Sequence, residues 1–397
     1  MRTTIGRRIT GVSLVTALIV AGVAAATAAA NPAMAITGSG SHPVWVVQPT
    51  PNPNVQRPHP YMTDVSCASA NACMAVGTYF NSNMFAERWS GTAWQVQSPS
   101  NPIGGAGPSL LGVSCSAASA CMAVGNYNTT HATVGLAERW NGSAWAMQPT
   151  PSPAGFPDSS FNNVSCTSAT LCTAVGAFST GGQAYFTLAE QWNGSTWAIQ
   201  PTPNPPGSSQ SQLLDVSCTS STACSAVGYY YNASNHGVTL AEQWNGSTWA
   251  IQPTPNPAGA TYSSLGGLSC TSATACTAVG YSFDASGDVT LAERWNGSTW
   301  AIQPTPNPGG SAGLGDVSCI SATECTALAS YTDAGTRQGV MAAAQWNGST
   351  WAIQPTPNPG GRATLRGVSC ISGPKCTAVG SQSSVGTGQM TLAERYS

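Results

Sequence analysis

The stretch Thr187-Leu188-Ala189-Glu190-Gln191-Trp192-Asn193-Gly194-Ser195-Thr196-Trp197-Ala198-Ile199-Gln200-Pro201-Thr202-Pro203-Asn204-Pro205 returns without a change at 239–257. Looser copies fill the rest of the chain, and the cysteines mark their period. All fourteen fall in seven C-x5-C pairs: Cys67/Cys73, Cys115/Cys121, Cys166/Cys172, Cys218/Cys224, Cys270/Cys276, Cys319/Cys325 and Cys370/Cys376. Successive first cysteines lie 48, 51, 52, 52, 49 and 51 residues apart. That is the length of a four-stranded propeller blade and too long for one coil of a β-helix.

Within one unit the β-branched and aromatic runs predict strands over 213–218, 224–229, 238–244 and 248–252, each bounded by Ser, Thr, Gly, Pro or Asn. Asn245-Gly246 predicts a tight hairpin with left-handed backbone. The prolines at 253–257 end the fourth strand because proline cannot donate to a ladder. The last unit stops three strands in, at Tyr396-Ser397, while 44–51 reads as an orphan fourth strand. The two fragments sum to one blade, an arrangement that closes a ring and gives an open stack nothing. The expected fold is therefore an all-β, seven-bladed propeller of four-stranded blades over 44–397, a single domain, its last blade closed by the N-terminal strand.

Composition narrows the function classes. Charged residues make up 7% of the 397, against roughly 25% in an average soluble domain. Lys375 is the one lysine, so the dense basic footprint of a nucleic-acid binder is missing. Gly 43 and Pro 28 accompany 42% hydrophobic residues, which argues for turn-rich globular structure over disorder. At the amino end Arg2, Arg7 and Arg8 precede an Ala-rich apolar run and then Ala33-Met34-Ala35, the pattern of an export signal over 1–35. A tail over 36–43 follows. The mature chain is expected to be secreted or extracytoplasmic, monomeric and net acidic, with no membrane insertion once the signal is cleaved.

The run Ala226-Val227-Gly228, then 240–249, then Gln252-Pro253-Thr254-Pro255 resembles the kelch repeat. More closely still it is similar to uncharacterised secreted repeat proteins of actinomycete-type bacteria with Ser-Cys…Cys-x-Ala-Val-Gly units. Both resemblances imply a propeller and leave its task open. Where kelch repeats carry two glycines this chain has one, Gly228 or Gly280, and no copper-ligand set matches that of galactose oxidase.

Each cysteine pair flanks a five-residue loop between the first two strands, so in a hairpin the side chains face each other at disulfide distance. Thiolate metal sites generally want three or four ligands, and histidines occur at His42, His59, His131 and His236 alone. Seven disulfides are therefore expected, with no metal and no cofactor. The Trp pairs, completed across the split by Trp45 and Tyr396, read as blade core. The glutamates two residues before them, Glu87, Glu138, Glu190, Glu242, Glu293 and Glu394, read as repeated hydrogen-bond anchors, with Ala344 in the sixth unit.

Loops that vary between repeats share one face of such a ring, the usual place for binding. Tyr229, Tyr230, Tyr231 and His236 fall there, as do Arg57, Arg337, Arg362 and Arg366, in loops of blades six, seven and one. Neighbouring arginines suit carboxylate, sulfate or phosphate groups. The leading reading is a non-catalytic binding module for glycan or cell-envelope polymer. Two others stand beside it: a glycosidase or lyase, for which Asp158, Asp284, Asp288 and Asp333 are the loop carboxylates, and a scaffold for another exported protein.

Overall fold

A computed structural model of the chain describes residues 43–52, 59–79, 83–181, 184–285, 287–359, 362–384 and 388–397. The stretch 1–35 expected to be an export signal, and the tail as far as His42, lie outside these residues, as does Arg57. Seven four-stranded antiparallel sheets make up the described chain, each built from four strands in sequence order except the last. In blade four these are β14 (Gln210–Ser220), β15 (Ala223–Tyr231), β16 (Gly237–Trp244) and β17 (Trp249–Gln252). The first two strands outrun the expected spans because Gln210–Gln212 pair with Tyr229–Tyr231. Between β16 and β17 only Gly246 takes a positive φ. Asn245 instead accepts bonds from the N–H groups of Ser247 and Thr248, so an Asx turn replaces the expected left-handed pair.

Blade seven joins β26 (Ala363–Ser372), β27 (Lys375–Ser384) and β28 (Gly388–Tyr396) to β1 (Trp45–Gln48). Trp45 lies opposite Tyr396, their rings 5.3 Å apart. The split blade read from the two chain ends is thus formed. Trp45→Ala, which empties a buried site on the closing strand, is expected to lower the unfolding free energy by about 3–5 kcal/mol. Urea denaturation measures it, and a loss under about 1 kcal/mol would show that closure does not rest on this strand.

The core lies between blades. Seven apolar clusters each combine one blade with its neighbour, and one of them joins Val379 and Ala393 of blade seven to Met62, Val65 and Trp89 of blade one. Every Trp pair is buried, with ring centroids 5.7–5.9 Å apart, so these rings are core and offer no stacking surface.

All seven disulfides form across the first hairpins, with Cα atoms 3.9–4.0 Å apart. Their setting corrects the expected five-residue loop. In blade four β14 runs past Cys218 to Ser220 and β15 begins at Ala223, before Cys224, so the tip is a two-residue turn and both cysteines lie within the strands. A strand side chain must point to one face of its sheet or the other, and the second cysteine of each pair points into the blade interface. Cys73, Cys121, Cys172, Cys224, Cys276, Cys325 and Cys376 are accordingly only 1–5% exposed, each a member of one of the seven apolar clusters. Their partners Cys67, Cys115, Cys166, Cys218, Cys270, Cys319 and Cys370 pack half-buried against the same clusters. The bridges are thus part of the core.

Two repeated devices explain dipeptides that the sequence leaves unexplained. In every blade the serine before the first cysteine accepts the N–H of an adjacent blade's first cysteine, at 2.9–3.0 Å, and Ser369 does so for Cys67. The Ser-Cys dipeptide is therefore a ring of seven inter-blade bonds. The Pro-Thr-Pro-Asn run folds back on the third strand: Thr202 Oγ1 donates to the Thr187 carbonyl at 2.9 Å, and Asn204 Oδ1 accepts the Thr187 N–H at 3.1 Å. Thr50 and Asn52 clip Thr391 in the same way across the chain ends.

The six glutamates are buried, and the hydrogen bonds expected of them are few and long. Apart from Glu87 Oε1, 3.4 Å from Thr391 Oγ1, their carboxyl oxygens have no hydrogen-bond partner among the described residues. Burial pushes Glu87, Glu190, Glu242, Glu293 and Glu394 up to about 8 and Glu138 up to about 7. The pull downward from a hydroxyl of the preceding blade reaches Glu87, Glu242 and Glu293, which face Thr391, Thr187 and Thr239.

Candidate functional site

Every innermost strand carries a β-bulge at the same height, three to four residues before its first cysteine. An extra residue in one strand re-aims its side chain. The residues so placed are Thr63, Leu111, Asn162, Leu214, Gly266, Gly315 and Arg366, one from each blade. The bulge presses on the second strand and explains the single glycine there: a Cβ on Gly280 would lie 1.9 Å from the carbonyl oxygen of Ser264. Blade six has Ala329 at that position. Its bulge is correspondingly wider, with neither Gly315 nor Asp316 in register between the pairs Leu314↔Ala329 and Val317↔Ala327.

Directly beside the bulges lies a set of residues that sequence reading missed. Asp64, Asp215 and Asp316 each accept two backbone N–H groups, one from their own blade and one from the next: Val65 and Val113, Val216 and Leu268, Val317 and Val368. The next blade has glycine at the matching position, Gly112, Gly267 or Gly367. Asn163 fills blade three and donates to Asp215. Burial raises the pKa of all three aspartates, and the N–H donors oppose the rise. These carboxylates latch blades together, and among the described residues no three His, Cys, Asp or Glu side chains group as metal ligands.

Of the four arginines expected on the variable face, two share a cavity. Arg337 and Arg362 line a space of about 740 Å³ between blades six and seven, together with Gln338, Thr364, Gln382 and Gln389. Its lining holds no carboxylate among the described residues. Arg337 has φ 57°, a conformation uncommon for a residue with a Cβ, held by its own loop: its N–H donates to the Asp333 carbonyl, while Asp333 Oδ1 accepts from Gly335 and Thr336. Asp333 is thereby a loop clasp, its pKa lowered by those bonds. Arg366 is not in a loop. It sits on β26 at the bulge, its guanidinium 5.3 Å from the Tyr61 ring centre.

The tyrosines separate. Tyr230 turns inward and packs against the blade-four core, while Tyr229 and Tyr231 join Tyr262 and Tyr281 in an aromatic cluster. Tyr262 is its hub, with ring centres 5.6 Å from Tyr229, 6.0 Å from Tyr231 and 5.7 Å from Tyr281. Burial raises the pKa of Tyr229 and Tyr262, so both hydroxyls stay protonated. His236 is exposed at the end of the loop that Asn232 caps. Among the loop carboxylates, Asp158 accepts the Thr133 N–H and lines a separate cavity with Tyr185. Asp284 and Asp288 lie on the two arms of one hairpin.

No protein-family model matches the sequence, and none of the curated proteins compared with it does. Solved structures share its shape. YCF48 from Cyanidioschyzon merolae superposes with a TM-score of 0.53 at 12% identity, over 89% of this chain and 98% of that one. A protein of unknown function from Dyadobacter fermentans gives 0.52 at 10% identity, over 89% and 97%. The SapL1 lectin, solved with alpha methyl fucoside, gives 0.47 at 13% identity, over 77% and 99%. At 12% and 10% identity the first two likenesses are of fold alone, and the site has to be argued from its own residues.

Proposed function

We propose that this protein is an exported, non-catalytic binding module for an anionic glycan or cell-envelope polymer, held on the variable face of blades six and seven. The observation that carries the reading is the cavity with Arg337 and Arg362 in its wall and no carboxylate among its described lining residues to neutralise them. Two guanidinium groups there can meet carboxylate, sulfate or phosphate through paired N–H donors, and the neighbouring glutamines and Thr364 suit hydroxyl groups. The strained backbone of Arg337 fits a residue kept for its side chain, since glycine would hold the same turn without strain. Seven disulfides suit an oxidising compartment, and among the described residues no helix is long and apolar enough to cross a membrane.

Titration calorimetry with tetragalacturonate and a teichoic-acid fragment, alongside neutral oligosaccharides, tests the reading. Arg337→Ala with Arg362→Ala is expected to weaken the anionic ligands at least tenfold. Equal binding of anionic and neutral ligands, unchanged by the double variant, would remove it. Release of new reducing ends would turn attention to the glycosidase reading, and binding of no polymer at all to a protein partner.

A further inference from the structure

We infer that blades four to six hold a second, neutral subsite, a glycine-floored pocket walled by tyrosines that takes one or two uncharged pyranose rings adjoining the anionic group bound by the arginines. The inference rests on the glycan reading above and adds to it the order of sugars in the ligand.

The pocket measures about 460 Å³ and is lined by Tyr229, Tyr262 and Tyr281, with Gly266, Gly313 and Gly315 among its remaining walls. Its size falls within the range of small-ligand sites, about 300–1,000 Å³. Its existence follows from the bulges. In blades two and four the re-aimed residue is leucine, Leu111 and Leu214, whereas blades five and six place Gly266 and Gly315 there. A Cβ on Gly315 would meet nothing within 4 Å, and on Gly266 only the Gly315 carbonyl, at 3.3 Å. Neither glycine has a positive φ, so no backbone demand explains it. Two side chains that the fold accommodates elsewhere in the ring are missing side by side, and the aromatic cluster borders the gap.

The lining specifies the ligand. No charged residue belongs to it, which disfavours an ion. Tyrosine faces carry negative charge density and attract the slightly positive C–H bonds on the flat side of a pyranose ring. Tyrosine hydroxyls, Ser330 and the carbonyl of Gly315 supply donors and acceptors for ring hydroxyls. Gly237 makes room for this wall, since a Cβ there would lie 2.2 Å from the Tyr262 ring. Ser330 also lines the arginine cavity. One ligand can therefore occupy both spaces, with its neutral sugar over the glycines and its acidic group outward at Arg337 and Arg362.

Gly315→Leu tests this, because it installs the residue that blades two and four already hold at that position. Binding of cellotetraose, maltotetraose, chitotetraose and tetragalacturonate is measured by calorimetry for the full mature chain, with melting temperature as the control for folding. At least one neutral tetrasaccharide is expected to bind, and Gly315→Leu to weaken it tenfold or more with an unchanged melting temperature, while Arg337→Ala with Arg362→Ala leaves it intact. Should Gly315→Leu fail to fold, Tyr281→Ala, at a ring 38% exposed, is expected to give the same loss. Neutral binding that both Gly315→Leu and Tyr281→Ala leave untouched would overturn the subsite alone. So would anionic binding with no neutral ligand bound at all. No binding of any glycan would overturn the subsite together with the reading it rests on.

Discussion

Reduction and alkylation of the seven disulfides is expected to lower the melting temperature by more than 15 °C, or to abolish cooperative unfolding altogether. Each bridge closes a loop of only a few residues, worth about 2 kcal/mol by the entropy it removes from the unfolded chain. A whole domain of this kind is stable by only about 5–15 kcal/mol, so seven such loops reach the same size as the total. Beside the bridges stand the inter-blade cores and the ring of Ser-Cys bonds, while ion pairs add little to a chain only 7% charged. Each second cysteine, from Cys73 to Cys376, is buried against the adjacent blade, so its alkylation also forces bulk into a blade interface. Calorimetry of the oxidised and alkylated proteins decides the matter. A melting temperature within about 5 °C of the oxidised form would show that packing alone sustains the ring.

The second large effect is on pH. The six buried glutamates have folded pKa values of about 7 to 8 against an ordinary 4.5. Because the folded value is raised, the stabilisation is fully present below about pH 4.5, declines as pH rises, and is lost once pH passes about 8. A single pKa unit at each glutamate already amounts to about 8 kcal/mol, and protonation linkage carries this into the unfolding equilibrium. The urea midpoint is therefore expected to fall from pH 5 to about pH 8 and to level off toward pH 9. Glu242→Gln with Glu293→Gln removes two of the titrating groups, and the slope should flatten. Ala344 shows that the position tolerates the loss of its carboxyl. A midpoint that is constant, or that rises toward pH 9, would mean the carboxyls are ionised in the folded protein and find partners there.

The architecture was legible because repetition removes ambiguity: seven cysteine pairs counted the blades, and Trp45 with Tyr396 supplied the missing aromatic pair. Positions that decide the site were less legible for a physical reason. A bulge adds one residue, and a shift of one residue turns a strand side chain to the other face. Alternation alone therefore could not place Arg366 on a strand or single out Gly315. The pairing of Asp64, Asp215 and Asp316 with Gly112, Gly267 and Gly367 was readable in principle as an aspartate-then-glycine rule between successive repeats. Arg337 and Arg362 could be assigned to neighbouring blades, but their common cavity depends on an Asx-capped loop whose shape no periodicity encodes. Tyr262 escaped notice because it opens a strand, whereas the conspicuous run Tyr229–Tyr231 divides its rings between the core and the cluster.

The closing strand has a mechanical consequence. Val44 and Ser397 exchange backbone hydrogen bonds at 3.3 and 3.4 Å, so the two ends of the propeller meet at the same edge of blade seven. A pull that separates them loads the bonds between β1 and β28 one after another, as a zipper is opened, whereas strands dragged lengthwise past each other share the load. With the clasp undone, blade seven keeps three strands and an exposed edge. Traction between the two ends is thus expected to open the ring at its seam under low force, before any disulfide-bridged hairpin yields.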